Sequence, residues 1–226
     1  MIVRIPGLLD AQRLTAIGML LREASWEDGR ATAGFQSAQV KQNLQLPQGS
    51  AAAQQAGDII VRALERHPDF ISAALPRHVY PPLFNRHEPG MSFGAHVDNA
   101  VRQVPGTAHR LRIDLSATLF LSPIEDHDGG ELVIEDTYGA HAVKLPAGDM
   151  VVYPASSLHK VQPVTRGVRV AAFFWVQSMV RDDGARRLLF EMDMAIRELT
   201  ASGADGGALL RLTACYHNLL RRWADI

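Results

Sequence analysis

The stretch Phe93-Gly94-Ala95-His96-Val97-Asp98 sets an imidazole and a carboxylate two residues apart. On a β-strand, residues two apart project to the same face, so His96 and Asp98 can both point at one metal ion. The pair alone is unspecific, because a capping or surface pair has the same spelling. His159 supplies a third donor, following the strand-like run Met150-Val151-Val152-Tyr153-Pro154. Farther on, Arg169 lies inside Val168-Arg169-Val170-Ala171-Ala172-Phe173-Phe174-Trp175-Val176. An arginine in so apolar a run is awkward unless an anion meets it.

Two histidines and one carboxylate on one face of an iron ion form a facial triad that leaves the remaining coordination positions open. Those positions can take a 2-oxo acid as a chelate, and then O2. A guanidinium deeper in the fold suits the distal carboxylate of 2-oxoglutarate, because its planar fork matches a carboxylate bidentately.

The elements that must position these groups fall into three stretches. Leu14, Ile17, Leu20, Leu21 and Ala24 recur at helical spacing after Asp10, a good N-cap. Ala52, Ala56, Ile59, Ile60, Ala63 and Leu64 do the same after Ser50, until His67-Pro68 closes the run. The segment from Gly34 to Leu46 between them is polar and alternating, as in a strand or a loop. From Val79 to about Ser178 short β-rich runs, Ser116–Leu121, Glu131–Ile134, Met150–Tyr153 and Val168–Val176, are separated by turn signals. These signals are Asp128-Gly129-Gly130, Pro146-Ala147-Gly148-Asp149 and Thr165-Arg166-Gly167. Short strands without intervening helices predict an antiparallel sandwich or barrel. After Arg181 two apolar stripes, Leu188 to Leu199 and Leu209 to Trp223, predict a helical hairpin that must bury its stripes on the β core or on a second copy of the chain.

Composition narrows the classes. The 226 residues are 47% hydrophobic and 21% charged with a formal net charge of −1, which suits a globular core and disfavours a non-specific nucleic-acid binder. The single cysteine, Cys215, excludes an intrachain disulfide and a thiolate zinc site, and its expected role is a small buried hydrophobe in a helix. No run approaches the roughly 20 apolar residues of a membrane span. The opening residues lack a signal-peptide pattern, so the expected location is cytoplasmic.

Taken together, Leu83-Phe84-Asn85-Arg86, Gly90 to Ala100, Gly129-Gly130-Glu131-Leu132, His159 with Val161, and Arg169 with its following strand resemble the Fe(II)/2-oxoglutarate dioxygenases. More narrowly, they resemble the bacterial PKHD-type hydroxylases (PiuC/YbiX-like), which are related to prolyl and lysyl hydroxylases. The resemblance implies an α+β chain with a double-stranded β-helix (jelly-roll) core, N-terminal helices and a C-terminal helical hairpin. It divides the chain into a support region (1–77), a dioxygenase core (78–178) and a helical extension (179–226). His96, Asp98 and His159 become the iron ligands and catalytic centre, and Arg169 the 2-oxoglutarate anchor. O2, an unidentified small-molecule or peptide substrate, ascorbate as a helper, a link to iron acquisition and a homo-oligomer through the C-terminal helices are further implications, with no nucleic acid or membrane involved.

Two positions depart from the related hydroxylases. His87 stands where many have Tyr, and Ala171 where many have Ser or Thr, so the secondary contacts to the co-substrate should differ. Bland readings suit other groups: His109, Arg110 and Arg112 as a solvated basic turn, Asp126-His127-Asp128 as a polar turn, Trp175 as core, and Asn99 and Arg102 as lid residues on a loop. The rival function is a non-catalytic jelly-roll protein that binds metal or a 2-oxo acid, or senses iron; Arg169 argues against it. A cupin-type enzyme would need a His-x-His cluster, which is absent.

Overall fold

Four helices begin at aspartate or serine caps. The side chains of Asp10, Ser50, Asp182 and Asp205 accept hydrogen bonds from backbone N–H groups in the first turns of the helices that follow. The computed structural model describes residues 1–32 and 35–226. In chain order the first elements are β1 (Val3–Ile5), α1 (Ala11–Arg22), β2 (Glu27–Asp28), α2 (Phe35–Gln39), β3 (Lys41–Gln42), β4 (Leu44–Gln45), α3 (Ala51–Leu64) and α4 (Pro68–Ala74). The middle of the chain supplies β5 (Pro76–Val79), β6 (Leu83–His87), β7 (Ser92–His96), β8 (Val101–Gln103), β9 (Arg110–Arg112), β10 (Leu115–Phe120) and β11 (His127–Gly129). It continues through β12 (Leu132–Asp136), β13 (Gly139–Val143), β14 (Met150–Pro154), β15 (His159–Val161), β16 (Val164–Gly167) and β17 (Arg169–Ser178). The last two elements are α5 (Asp183–Ala201) and α6 (Gly206–Trp223).

Among the described residues, the larger sheet runs β1-β14-β10-β17-β6-β4-β2, with β5 also paired to β17; the smaller runs β13-β12-β15-β7-β3. All the pairings are antiparallel. Strand parity explains how the larger sheet serves two layers. Leu115, Ala117 and Leu119, with Ala172, Phe174 and Val176, join one core together with Ile17, Ile60 and Leu64 of the N-terminal helices. The alternate residues, Phe120, Val151 and Tyr153, pack on Leu132, Ile134 and Val161 of the smaller sheet. Both faces of the larger sheet are therefore covered, and its central strands read as nearly continuous apolar runs. The expected α+β jelly-roll architecture with helices at both ends is what forms.

Several local expectations are corrected. His67-Pro68 ends α3, as expected, but Pro68 also opens α4, because the first helical position tolerates its missing N–H. The polar segment before Leu46 contains α2 as well as two-residue strands, and Gly34 lies outside the described residues. Cys215 is exposed, because α6 covers the molecule with one side only and has no fully buried residue. Arg102 lies on β8 instead of a loop, and Arg112 is only partly exposed, paired at 2.8 Å with Asp114 and at 3.6 Å with Asp225. Among the described residues no helix is long and apolar enough to cross a membrane.

Candidate active site

The β7–β15 pairing brings His96 and His159 into direct register, with ring centroids 4.2 Å apart. Asp98 arrives differently from the expectation. His96 is the last residue of β7, so Asp98 lies beyond the strand, and the irregular segment there brings its carboxylate to the two rings. The Ile113 N–H donates to the Ala100 carbonyl at 2.8 Å, tying this segment to the entry of β10. One ligand atom from each of the three residues lies within 4.8 Å of the other two, and Asp98 Oδ2 is 3.7 Å from His159 Nε2.

The second nitrogen of each ring identifies the tautomer. His96 Nδ1 sits 2.8 Å from the Gly94 carbonyl and His159 Nδ1 3.0 Å from the Ser157 carbonyl. A carbonyl only accepts, so each Nδ1 carries its proton and Nε2 is the nitrogen left to meet a metal. Burial, and next the neighbouring His159, push the His96 pKa down to about 4, which keeps that ring neutral. Phe93 stacks on His96 with centroids 3.6 Å apart and fixes its plane. The Ser116 hydroxyl donates to Asp98 Oδ2 at 2.6 Å. Two imidazoles that keep Nε2 for a metal and one oriented carboxylate fit a divalent iron ion. Such supporting contacts set ligand orientation, so Ser116→Ala should weaken Fe(II) binding about tenfold, measured by competition with a chelator.

The cavity beside this cluster is lined by Asn43, Asn85, Tyr153, Arg169, Phe173 and Trp175, among others, together with Asp98 and His159. Arg169 is 1% exposed and faces inward from the first residue of β17. It donates to the Asn85 side-chain oxygen at a long 3.3 Å, while its Nε is buried without a hydrogen-bond partner. Burial lowers its pKa to about 10, opposed by the charges of Tyr153 and Glu131, so the group remains a cation. A buried cation with one weak neutral acceptor fits an incoming carboxylate. His87 is cross-strand from Arg169; burial and then the Arg169 charge hold its pKa well below the ordinary value, so it serves as a neutral wall.

Gly130 makes room for this arginine. It has φ +71°, and a Cβ there would stand 2.8 Å from Arg169 Cδ, whereas a Cβ on Gly129 would stand 2.1 Å from the Pro163 carbonyl oxygen. The two glycines should therefore fail differently. Gly130→Ala should weaken 2-oxoglutarate binding about tenfold or more by displacing the guanidinium. Gly129→Ala should chiefly lower the unfolding temperature, since backbone cannot yield as a side chain can. Parallel 2-oxoglutarate titrations and melting curves check the contrast.

Sequence reasoning missed Lys41, Asn43, Asn85 and Ser116. Lys41 is 4% exposed, donates to Gln45 at 3.0 Å and lies over the Phe93 ring; burial, then Arg102, lower its pKa to about 8. Asn85 stood inside a motif already singled out, but two-residue strands give Lys41 and Asn43 no periodic signal. Trp175 is core, as expected, and also lines the cavity. Asn99 is exposed, His109 and Arg110 are exposed, and Asp126-His127-Asp128 forms no metal cluster among the described residues.

Fold and donor set together define a 2OG-Fe(II) oxygenase, and the comparisons agree. Residues 82–177 match the 2OG-Fe(II) oxygenase superfamily, and residues 183–225 match the PKHD-type hydroxylase C-terminal domain, which here is the α5–α6 pair. PKHD-type hydroxylases of Pseudomonas putida (strain W619) and Burkholderia lata are 58% and 60% identical over 226 residues, covering 100% of this chain and of each relative. A Trichoplax adhaerens prolyl hydroxylase, solved with a hypoxia inducible factor oxygen degradation domain peptide fragment, shares the fold with a TM-score of 0.58 at 12% identity. That match covers 83% of this chain and 86% of the other. The chain belongs to the PKHD-type hydroxylases, and carries a His-Asp-His triad; Fe(II), 2-oxoglutarate and O2 follow from that membership.

Proposed function

We propose that His96, Asp98 and His159 hold the Fe(II), that Arg169 receives the distal carboxylate of 2-oxoglutarate, and that the chain hydroxylates a small molecule or a peptide side chain. The observation that carries this reading is Arg169 itself: a buried cation with a single long bond to a neutral partner, in the same cavity as the triad. The bound iron and co-substrate supply oxidative chemistry, in which 2-oxoglutarate is decarboxylated to succinate and the substrate gains a hydroxyl group. The chain's own work is positioning. Gly94 and Ser157 hold the imidazole tautomers, Ser116 orients the carboxylate, and Asn85 steadies the guanidinium. Phe93, Phe173 and Trp175 keep water away from the reacting atoms.

Anaerobic titration of the protein with Fe(II) and 2-oxoglutarate tests the site before any substrate is known. A visible metal-to-ligand charge-transfer band is expected in the wild type and lost in His96→Ala. Iron binding without that band would favour a metal-binding protein that does not take the co-substrate.

Three finer readings accompany this proposal. Ascorbate should extend turnover by keeping iron reduced. The exposed thiol of Cys215 suits a reducing, cytoplasmic compartment, and a substrate tied to iron acquisition follows the family likeness. The exposed Leu188 and Leu210 of the C-terminal pair support a homo-oligomer, which light scattering of Leu210→Glu would test.

A further inference from the structure

The guanidinium of Arg169 is lightly fastened for a group that must meet a carboxylate in register. It makes the 3.3 Å bond to Asn85, leaves its Nε without a partner, and lies over Phe120 with 5.5 Å between guanidinium carbon and ring centroid. A long side chain held so loosely takes its place from the backbone beneath it. What fixes the peptide groups on either side of Arg169 therefore decides where its fork stands.

The two edges of β17 are fastened differently at this point. On one edge Arg169 is in register with His87 of β6. On the other, the β10 register ends at Phe120 opposite Ala171, two residues past Arg169. The Leu121 N–H still donates to the Val170 carbonyl at 3.1 Å, and the chain then leaves the sheet through Pro123 into the short 3-10 turn Ile124–Asp126. A side chain takes over where the ladder stops. Ser122 Oγ accepts from the Val170 N–H at 2.7 Å, and the same hydroxyl donates to the Val168 carbonyl at 3.2 Å. A hydroxyl has one proton to give and lone pairs to receive with, so both bonds coexist and one oxygen brackets Arg169. Ser122 is buried, and it lines a separate cavity with Leu14, Ile17 and Val170, on the face of the sheet that the N-terminal helices cover. It does not line the cavity of the triad.

We propose that Ser122 is a positioning residue for co-substrate capture. By bridging Val168 and Val170 it sets the height at which Arg169 presents its fork to the distal carboxylate of 2-oxoglutarate. The proposal rests on the Fe(II)/2-oxoglutarate reading. Because Ser122 is remote from the metal ligands, its influence passes through Arg169 and leaves the iron alone.

The test is anaerobic titration of the Fe(II)-loaded protein with 2-oxoglutarate, read from the visible band, beside an iron-affinity measurement by chelator competition. Ser122→Ala should weaken 2-oxoglutarate binding about five- to tenfold and leave Fe(II) affinity at the wild-type value. Ser122→Thr keeps the hydroxyl, and its methyl group has room in the outer cavity, so it should bind 2-oxoglutarate as the wild type does. A double-mutant cycle separates positioning from general loosening. Introduced into Arg169→Met, which has no fork to place, Ser122→Ala should cause no further loss. If Ser122→Ala does not fold, Ser122→Cys takes its place in the same comparisons. Unchanged 2-oxoglutarate affinity in the Ala variant, an equal loss in both backgrounds, or a parallel fall in iron affinity overturns the proposal. Absence of the visible band in the wild type would instead strike the co-substrate reading beneath it.

Discussion

Replacing Arg169 with methionine should reduce 2-oxoglutarate affinity by about two to three orders of magnitude while leaving the ligand-free protein at least as stable as the wild type. The two halves of this result have one cause. The guanidinium is fully buried, its Nε has no partner, and its Asn85 bond is long at 3.3 Å, so folding removes a cation from water with little in return. Methionine has similar reach and no charge, which removes that desolvation cost. The bound co-substrate then loses its charge-assisted pair in a site that excludes water, where such a loss costs about 2–5 kcal/mol. Thermal unfolding with and without 2-oxoglutarate separates the effects: the variant should melt no lower than the wild type alone, and should gain almost nothing from the ligand. A variant that melts far lower without ligand would make Arg169 a structural residue.

Asp98→Ala should abolish turnover and weaken Fe(II) binding by more than about 100-fold, beyond what the loss of a merely supporting contact does. Asp98 is the only anionic donor of the three, and its removal also leaves the Ser116 hydroxyl without its 2.6 Å acceptor. Asp98→Asn isolates the charge, since it keeps the shape and can still accept from Ser116; it should also fail to turn over. Iron content after desalting and succinate formation measure the two effects. Full activity in either variant would sink the assignment of the triad.

Much of this was legible in the sequence, for identifiable reasons. Helix boundaries followed caps that act locally, as at Asp10 and Ser50. The strands around His159 and Arg169 were visible as β-branched and aromatic runs, and Arg169 stood out because a cation inside such a run has few bland explanations. The geometry behind His96 and Asp98 was not legible. Their spacing suggested one strand face, yet the strand ends at His96 and an irregular segment completes the approach. Lys41 and Asn43 were hidden because strands of two residues have no period to read. The exposure of Cys215 depended on what α6 packs against, a tertiary fact that no helical stripe contains.

The segment through Asn43 has a consequence for how anything reaches the triad. Gln42 pairs with Ser92 in the smaller sheet, and Leu44 pairs with Arg86 in the larger, so Asn43 is the step by which the backbone crosses between them. That margin of the sandwich is laced shut by a covalent thread, and the sheets cannot part there as a clamshell would. The exposed residues that flank Asp98, namely Val97, Asn99 and Ala100, lie elsewhere, on the segment that leads into the β8–β9 hairpin.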